Sequence, residues 1–342
     1  MIEEAIAKAN SGKNLGREFT KQVFDKIMLG TVETQELASF LEALAKKGES
    51  IEEILGAAES MKFFVSKVNP KVNAELLDVV GTGGDAKNSI NASTAASIIA
   101  SATGCFVAKH GNRSVSSKCG AADVLETLGV NINLTPEQNE RMIEKTGFAF
   151  LFAPLHHPAM KFAAEARKQL GIRTIFNLVG PLTNPANAQT MLLGVFSTEL
   201  AEKYAKVFAE LKIRRALVVH GNDGFDEVSI CTSTRVFEVS AGKIVEYELA
   251  PEHFNIKRCD ESELSVANAE ESANSIREIF EGKEKGPKKD FVLLNAGAAI
   301  FANGKSESIA EGIKTAQSTI DKGIVKRKLD EIIKESSKIS EN

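Results

Sequence analysis

The chain has no tryptophan and only 2 tyrosines beside 19 phenylalanines in 342 residues. The side chains favoured at membrane interfaces and in binding hot spots are therefore scarce. Long apolar runs are also missing, and none approaches the roughly 20 residues that a membrane-spanning helix needs. The first residues, MIEEAIAKANSGK, carry acid early and lack the apolar core of a signal peptide. Cysteine is sparse: four residues, at 105, 119, 231 and 259, with no CxxC pair, and histidine numbers 5. That speaks against a zinc site or a disulfide scaffold and suits a reducing cytosol, so a cytoplasmic location is expected. There is no basic excess either. With 42 basic and 46 acidic side chains the net charge is −4, which disfavours nucleic acid as a partner. What is present is ordinary for a globular protein: 43% hydrophobic and 26% charged residues. The length suggests about two domains at roughly 150 residues each.

Residues 1–68 carry only helical periodicity. Apolar residues recur at three- and four-residue spacing over 17–29, 34–47 and 51–66, with Thr31, Thr34 and Ser50 as helix starts and Gly30 and Gly48 as stops. After Asn69-Pro70 short apolar runs alternate with helical segments. Strands are predicted at 76–80, 105–109, 148–152, 190–195 and 215–219. Helices are predicted at 91–103, 119–128, 136–146, 157–170, 198–211, 267–281, 290–303 and 306–321. Such alternation implies an α/β fold with a mostly parallel sheet. Residues 228–249 read instead as antiparallel strands joined by Ala-Gly, residues 281–289 as a charged turn, and residues 335–342 as a polar, frayed tail. The expected architecture is a small all-helical domain over 1–70, joined in space by helices from about 160–186, and a larger α/β domain over 71–342.

Two loops follow the first two predicted strands. The first, LLDVVGTGGDAKNSINAST, ends an apolar run in Gly81, Gly83, Gly84 and Asp85 and enters a helix whose start is crowded by Asn91, Ser93 and Thr94. Glycines let backbone approach a ligand, and free N–H groups at a helix start suit phosphate. The spacing is neither GxGxxG nor the Walker pattern, and a tight strand-to-helix turn with an ordinary cap remains the plain alternative. The second loop packs Lys109, His110, Asn112, Arg113, Ser114, Ser116, Ser117 and Lys118 into ten residues. It is either a solvated loop or the cationic wall of an anion site. Both loops leave strand ends that could face one crevice. Further on, IRRALVVHGNDGFDE ends in adjacent carboxylates, Asp226 and Glu227; such a pair is commonly just solvated, yet it also offers the oxygen ligands Mg²⁺ prefers. His156-His157-Pro158 lacks the companions of a metal site and reads as structural. The turn GPLTNP over 180–185 reads as a rigid connector.

GTGGD followed by NxST, then KHGNRSVSSKxGxADVLE, RKQLGIRTIFNLVGPLTNP and HGNDGFDE, in that order, closely resembles the anthranilate phosphoribosyltransferases over about residues 10–340. The resemblance implies transfer of the phosphoribosyl group of phosphoribosyl pyrophosphate to the amine of anthranilate, the second step from chorismate toward tryptophan. It implies a homodimer formed through the helical part, and two Mg²⁺ per monomer held by Asp226, Glu227 and the Ser93 hydroxyl. A glutamine amidotransferase is a candidate partner. By the same match, phosphoribosyl pyrophosphate contacts fall on Gly81, Gly84, Asp85, Ser89, Asn91, Ala92, Ser93, Thr94, Lys109, His110, Gly111, Asn112, Arg113, Ser114, Val115, Ser116, Ser117 and Ala121. Anthranilate contacts fall on Gly81, Asn112 and Arg167, whose guanidinium would face the carboxylate. No residue is implied as a certain proton-transfer catalyst; Lys109 and His110 are the candidates. One departure stands out. Where the family commonly has Ser-Gly-Ser, this chain has Cys119-Gly120-Ala121, so a substrate-binding hydroxyl is missing at Ala121. Of the rival readings, a pyrimidine nucleoside phosphorylase is disfavoured by the KHGNR loop and the RTIFNLVGPLTNP stretch. A nucleic-acid-binding relative is disfavoured by the charge and by the retained Asp226-Glu227 pair.

Overall fold

The computed structural model describes residues 1–83, 87–113 and 119–341. The chain forms two compact units: residues 1–67 with 154–185, and residues 68–153 with everything from 186 onward.

The first unit is helical. Its helices are Ile2–Asn10, Arg17–Met28, Thr34–Lys47, Ile51–Phe64, Lys161–Leu170 and Ile175–Val179. The helix over Ile2–Asn10 was not anticipated from sequence. Its buried contribution is only Ala5 and Ala9, too weak a stripe to read. The remaining helices close on a core that includes Phe24, Phe40 and Phe176, with Phe24 ring-to-ring at 6.1 Å and 5.4 Å from the other two. Gly56 stands in the middle of the helix Ile51–Phe64 for a packing reason. A Cβ there would lie 2.2 Å from the Arg17 carbonyl oxygen, so glycine lets Ile51–Phe64 and Arg17–Met28 approach backbone to backbone. Ser50 starts its helix as expected, by a reciprocal box in which its hydroxyl accepts from the Glu53 N–H and the Glu53 carboxylate accepts from the Ser50 N–H. Thr31 does not start a helix. Its hydroxyl donates to the Lys26 carbonyl at 3.0 Å, closing the helix before it, and the next begins at Thr34.

The second unit is built on a seven-stranded sheet: β1 Leu76–Gly81, β2 Phe106–Gly111, β3 Phe148–Phe152, β4 Thr190–Gly194, β5 Arg215–Gly221, β6 Thr234–Ser240 and β7 Lys243–Leu249. The spatial order is β3-β2-β1-β4-β5-β6-β7. β1 to β5 are parallel, and β6 and β7 are antiparallel. The mixed architecture is the one expected. Residues 228–233 are not strand, however, and the Ala241-Gly242 turn joins β6 to β7 with φ of 49° and 82°. β3 and β4 are buried along their whole lengths, as apolar runs covered on both faces should be.

Two helical readings change. Residues 157–170 split into a 3₁₀ turn, Pro158–Met160, which opens on a proline at the position where no N–H is needed, and the helix Lys161–Leu170. The polar tail is not frayed: Ile324–Ser340 is one helix. Val325, Leu329, Ile332, Ser336 and Ile339 form its buried stripe. The Ser336 hydroxyl accepts from the Asn131 N–H at 3.0 Å, and the Ile339 carbonyl accepts from the Gln138 side chain at 3.0 Å. No helix among the described residues is long and apolar enough to cross a membrane.

Candidate active site

The chain runs outward from β1 to β2 to β3, then returns to β4 on the other side of β1. The strand order therefore reverses between β1 and β4, and in open parallel sheets ligands bind beyond the carboxyl ends of the strands at such a point. Gly81 and Gly194 are register partners at that edge, and the Thr82 N–H continues the pairing to the Gly194 carbonyl at 2.9 Å.

What fills the space above these two glycines is Asp226. A Cβ at Gly194 would lie 1.4 Å from the Asp226 carbonyl oxygen, and one at Gly81 would lie 2.5 Å from its Oδ2. The third strand end, Gly221, is equally constrained, since a Cβ there would lie 2.5 Å from Asp223 Oδ1. The 221–229 loop thus folds back over the sheet edge because three adjacent strands end without side chains. The loop is tied to itself: Ser229 Oγ donates to Asp223 Oδ2 at 2.5 Å, and the Gly221 N–H donates to the Phe225 carbonyl at 3.0 Å. It is also tied to the core, with Asn295 exchanging hydrogen bonds with both backbone groups of Val228 at 2.9 Å. Across the crevice the Gly83 N–H donates to Asp226 Oδ2 at 2.8 Å, so the glycine loop and the acidic loop meet.

From β2 comes Lys109, which is 1% exposed. Its ammonium donates to the Val79 carbonyl and, at 3.3 Å, to Ser93 Oγ. Burial brings Lys109 down to about 8, against the opposing pull of the negative charges on Asp78, Glu227 and Asp226. Ser93 stands in the first turn of the helix Ala92–Ala102, whose N-cap Asn91 accepts from the Thr94 N–H at 3.0 Å and from Ser93 Oγ at 3.2 Å. Thr94 Oγ1 and Thr82 Oγ1 are buried with no hydrogen-bond partner among the described residues. Asp78 is fully buried inside β1 and accepts the His110 N–H at 3.1 Å.

A model of the glycosyl transferase family a/b domain matches residues 73–325, and one of that family's helical bundle domain matches residues 3–64. The anthranilate phosphoribosyltransferase of Acetivibrio thermocellus is 50% identical over 333 residues, 97% of this chain and 96% of the relative. The chain belongs to the anthranilate phosphoribosyltransferase family. The relative from Desulfosudis oleivorans is 44% identical over the same share of this chain and 98% of its own length. Among solved structures, the Thermus thermophilus member superposes with a TM-score of 0.91 at 41% identity, over 97% of this chain and 99% of that one. The Saccharomyces cerevisiae member in complex with phosphoribosyl pyrophosphate and Mg also gives 0.91, at 29% identity and 98% coverage of both chains.

Of the residues expected at the family's site, the α/β unit joins Asn91, Ser93, Thr94 and Lys109 in one hydrogen-bonded group at the start of Ala92–Ala102 and sets Asp226 over Gly81, with Asp226 and Glu227 close enough to act on Lys109 through their charge. Ser89 sits just outside it, in a bridge with Ser265. Gly111 ends β2; a Cβ there would lie 2.8 Å from the Phe150 ring and 3.7 Å from Ala121 Cβ. Ala121 opens the helix Ala121–Leu128, and the Asn112 carbonyl accepts from the Ala122 N–H at 3.4 Å. Arg113 is occupied elsewhere. Its guanidinium pairs with Asp123 at 2.8 Å and Glu126 at 2.5 Å, which raise its proton affinity. Gly84, Asp85, Ser114, Val115, Ser116 and Ser117 lie outside the described residues. Arg167 belongs to the helical unit. It lies 5.4 Å over the Phe176 ring, and burial weakens its hold on a proton.

Two contributors were not legible as such. Asp78 is a lone acid in the apolar run LLDVV, and that mismatch is its only signal. Gly194 ends the run TMLLG with nothing to show that another backbone must pass over it. His156 and His157 are structural. His156 Nδ1 is 3.2 Å from the Ser66 carbonyl oxygen, and both rings are buried.

Proposed function

We propose that the crevice at the ends of β1, β2 and β4 is where this chain carries out its family's transfer: phosphoribosyl from phosphoribosyl pyrophosphate to the amine of anthranilate. The observation that carries this reading is the placement of Asp226 over Gly81 and Gly194, held by the Gly83 N–H and within reach of the charge on buried Lys109, which donates to Ser93.

The donor set suits Mg²⁺. No group of three or more His, Cys, Asp or Glu among the described residues could hold an ion by itself. Mg²⁺ does not ask for one, since it keeps waters and shares its shell between one or two carboxylates and substrate phosphates. Asp226, Glu227 and Ser93 are the proposed holders of two ions per monomer. When bound, the ions neutralise the pyrophosphate and make it a better leaving group. Lys109 adds a cation from below the crevice, poised near neutral pH by burial. At the helix start the Ala92 N–H is taken by the Ile90 carbonyl and the Thr94 N–H by Asn91, which leaves the Ser93 N–H to meet a phosphate oxygen, and the hydroxyls of Thr82 and Thr94 hold unused capacity nearby. At Ala121 only backbone N–H groups remain for that role. Arg167 is the proposed partner of the anthranilate carboxylate. The aromatic amine is unprotonated at pH 7 and attacks ribose C1 from the face opposite the leaving pyrophosphate. It needs little base assistance, so orientation and charge neutralisation supply most of the acceleration.

The test follows anthranilate fluorescence. Its decay requires both phosphoribosyl pyrophosphate and Mg²⁺ if the reading is right. Asp226→Asn with Glu227→Gln lowers kcat by at least 100-fold while the melting curve stays close to that of the parent. Near-normal turnover of the double variant across a Mg²⁺ titration would remove these two residues from the metal site.

A further inference from the structure

The four cysteines look scattered in sequence, but the fold brings two of them into contact. Cys231 Sγ and Cys259 Sγ are 3.4 Å apart, and both residues are half-buried, whereas Cys105 and Cys119 are buried in the core. Each half of the pair belongs to a segment that borders the candidate active site. Cys231 follows the 221–229 loop, and its N–H donates to Ser229 Oγ at 3.0 Å. The Ser229 hydroxyl in turn holds Asp223. Cys259 lies in the 251–265 segment, which lines the entry to the helix that carries Ser93. There the Ile90 N–H donates to the Leu264 carbonyl and the Val266 N–H to the Asn88 carbonyl, each at 2.9 Å, and Lys87 pairs with Glu261 at 2.8 Å. Lys87 also lies 5.3 Å over the Phe225 ring of the acidic loop.

We propose that Cys231 and Cys259 are an oxidisable dithiol that closes to a disulfide on reaction with a hydroperoxide, tying the carboxylate-bearing loop to the 251–265 segment. Three observations support this: sulfur–sulfur contact, partial exposure of both residues, and separation by only 28 residues. A disulfide needs about 2.05 Å between sulfurs, a closing movement of a little over 1 Å that side-chain rotation can supply. In the first step the Cys259 thiolate attacks the hydroperoxide. The S–O bond forms, the O–O bond breaks, and the departing hydroxide (alkoxide, for an alkyl hydroperoxide) takes up a proton as water or an alcohol. In the second step the Cys231 sulfur, giving up its proton, attacks the Cys259 sulfenic acid. The S–S bond forms and the S–O bond breaks, with hydroxide leaving as water on that proton. Two thiols lose two electrons, and one hydroperoxide gains them. Burial pushes both thiols above their ordinary range, reinforced at Cys231 by Asp223 and Glu261 and at Cys259 by Glu263 and Asp260, so the first step is slow at neutral pH.

The full-length reduced protein is treated with hydrogen peroxide, alkylated, and then assayed for free thiols and mapped by peptide mass. Free thiols fall from four to two, dithiothreitol restores them, and one cross-linked species joins the peptides containing Cys231 and Cys259. Cys231→Ser and Cys259→Ser each abolish the cross-linked species. Persistence of all four thiols, a cross-link to Cys105, Cys119 or a second chain, or sulfinic acid on one cysteine with no cross-link would each overturn the proposal. These readouts do not depend on transferase activity.

Discussion

A methyl group at Gly194 would sit 1.4 Å from the Asp226 carbonyl oxygen, whereas one at Gly180 would meet nothing within 4 Å. Gly180 has φ −49°, so alanine suits its backbone. Gly194→Ala therefore forces the acidic loop off the sheet edge. It should cost about 1–3 kcal/mol by overpacking and raise the Mg²⁺ concentration needed for half-maximal rate. Gly180→Ala should stay within about 0.5 kcal/mol of the parent. Urea denaturation with a Mg²⁺ titration separates the two, and an unaltered Gly194→Ala response would mean the loop moves aside freely. Arg167 makes a different kind of claim. A charge-assisted hydrogen bond is worth about 1.5–3 kcal/mol, or roughly tenfold or more in an equilibrium constant. Arg167→Ala should raise the KM for anthranilate by at least that factor and leave the KM for phosphoribosyl pyrophosphate nearly unchanged. Equal effects on both would argue against its role. The chemistry-bearing side chains were legible at this scale because their types announce themselves. The residues that make room for them were not. Gly194 is defined by an atom it lacks, and the clash it avoids comes from a backbone 32 positions away.

Elements were legible where periodicity was strong and turn chemistry explicit. β1, β3 and β4 are apolar runs ended by glycine or a turn, and the hairpin at Ala241-Gly242 carries the positive φ that its two residues signal. The C-terminal helix was hidden by composition. Its buried residues recur every three or four positions, but lysine, glutamate and serine between them read as a solvated tail until the stripe is seen against the 130–146 segment it covers. The histidine pair shows how an element can carry a pH response. Burial, with the neighbouring His156 adding to it, lowers His157 from 6.5 to about 4, although a hydrogen bond with the Thr183 backbone works the other way. A folded-state pKa below the unfolded one means the unfolded chain binds more protons between those values. Stability is then full above pH 6.5 and is lost as pH falls toward 4, by on the order of 3 kcal/mol for a shift of that size. His157→Gln removes the titration. The fall in urea midpoint between pH 7 and pH 4.5 should be smaller in the variant than in the parent, and an identical fall would place the acid sensitivity elsewhere.

For the whole molecule, the surface of the helical unit is where a second copy is proposed to bind. Among the described residues, six of the large apolar side chains left exposed belong to this unit: Met1, Leu29, Phe63, Leu155, Phe162 and Ile172, with Phe63 at 72% and Leu29 at 59%. Leu29 and Phe162 are neighbours in space, since a Cβ at Gly30 would lie 2.6 Å from the Phe162 ring. Burying one such side chain is worth about 1.5–3 kcal/mol. A twofold interface buries every contributing residue twice, so even a small patch adds up. The same doubling makes the patch vulnerable. Leu29→Glu with Phe162→Glu sets four carboxylates against apolar surface or against each other, while each side chain is exposed in the isolated chain and its replacement costs the fold little. Sedimentation velocity should find the parent at twice the 36.8 kDa chain mass and the double variant at that mass itself. A parent that sediments as a single chain at micromolar concentration would refute the dimer. A variant that remains dimeric would move the interface off Leu29 and Phe162 to another part of the surface.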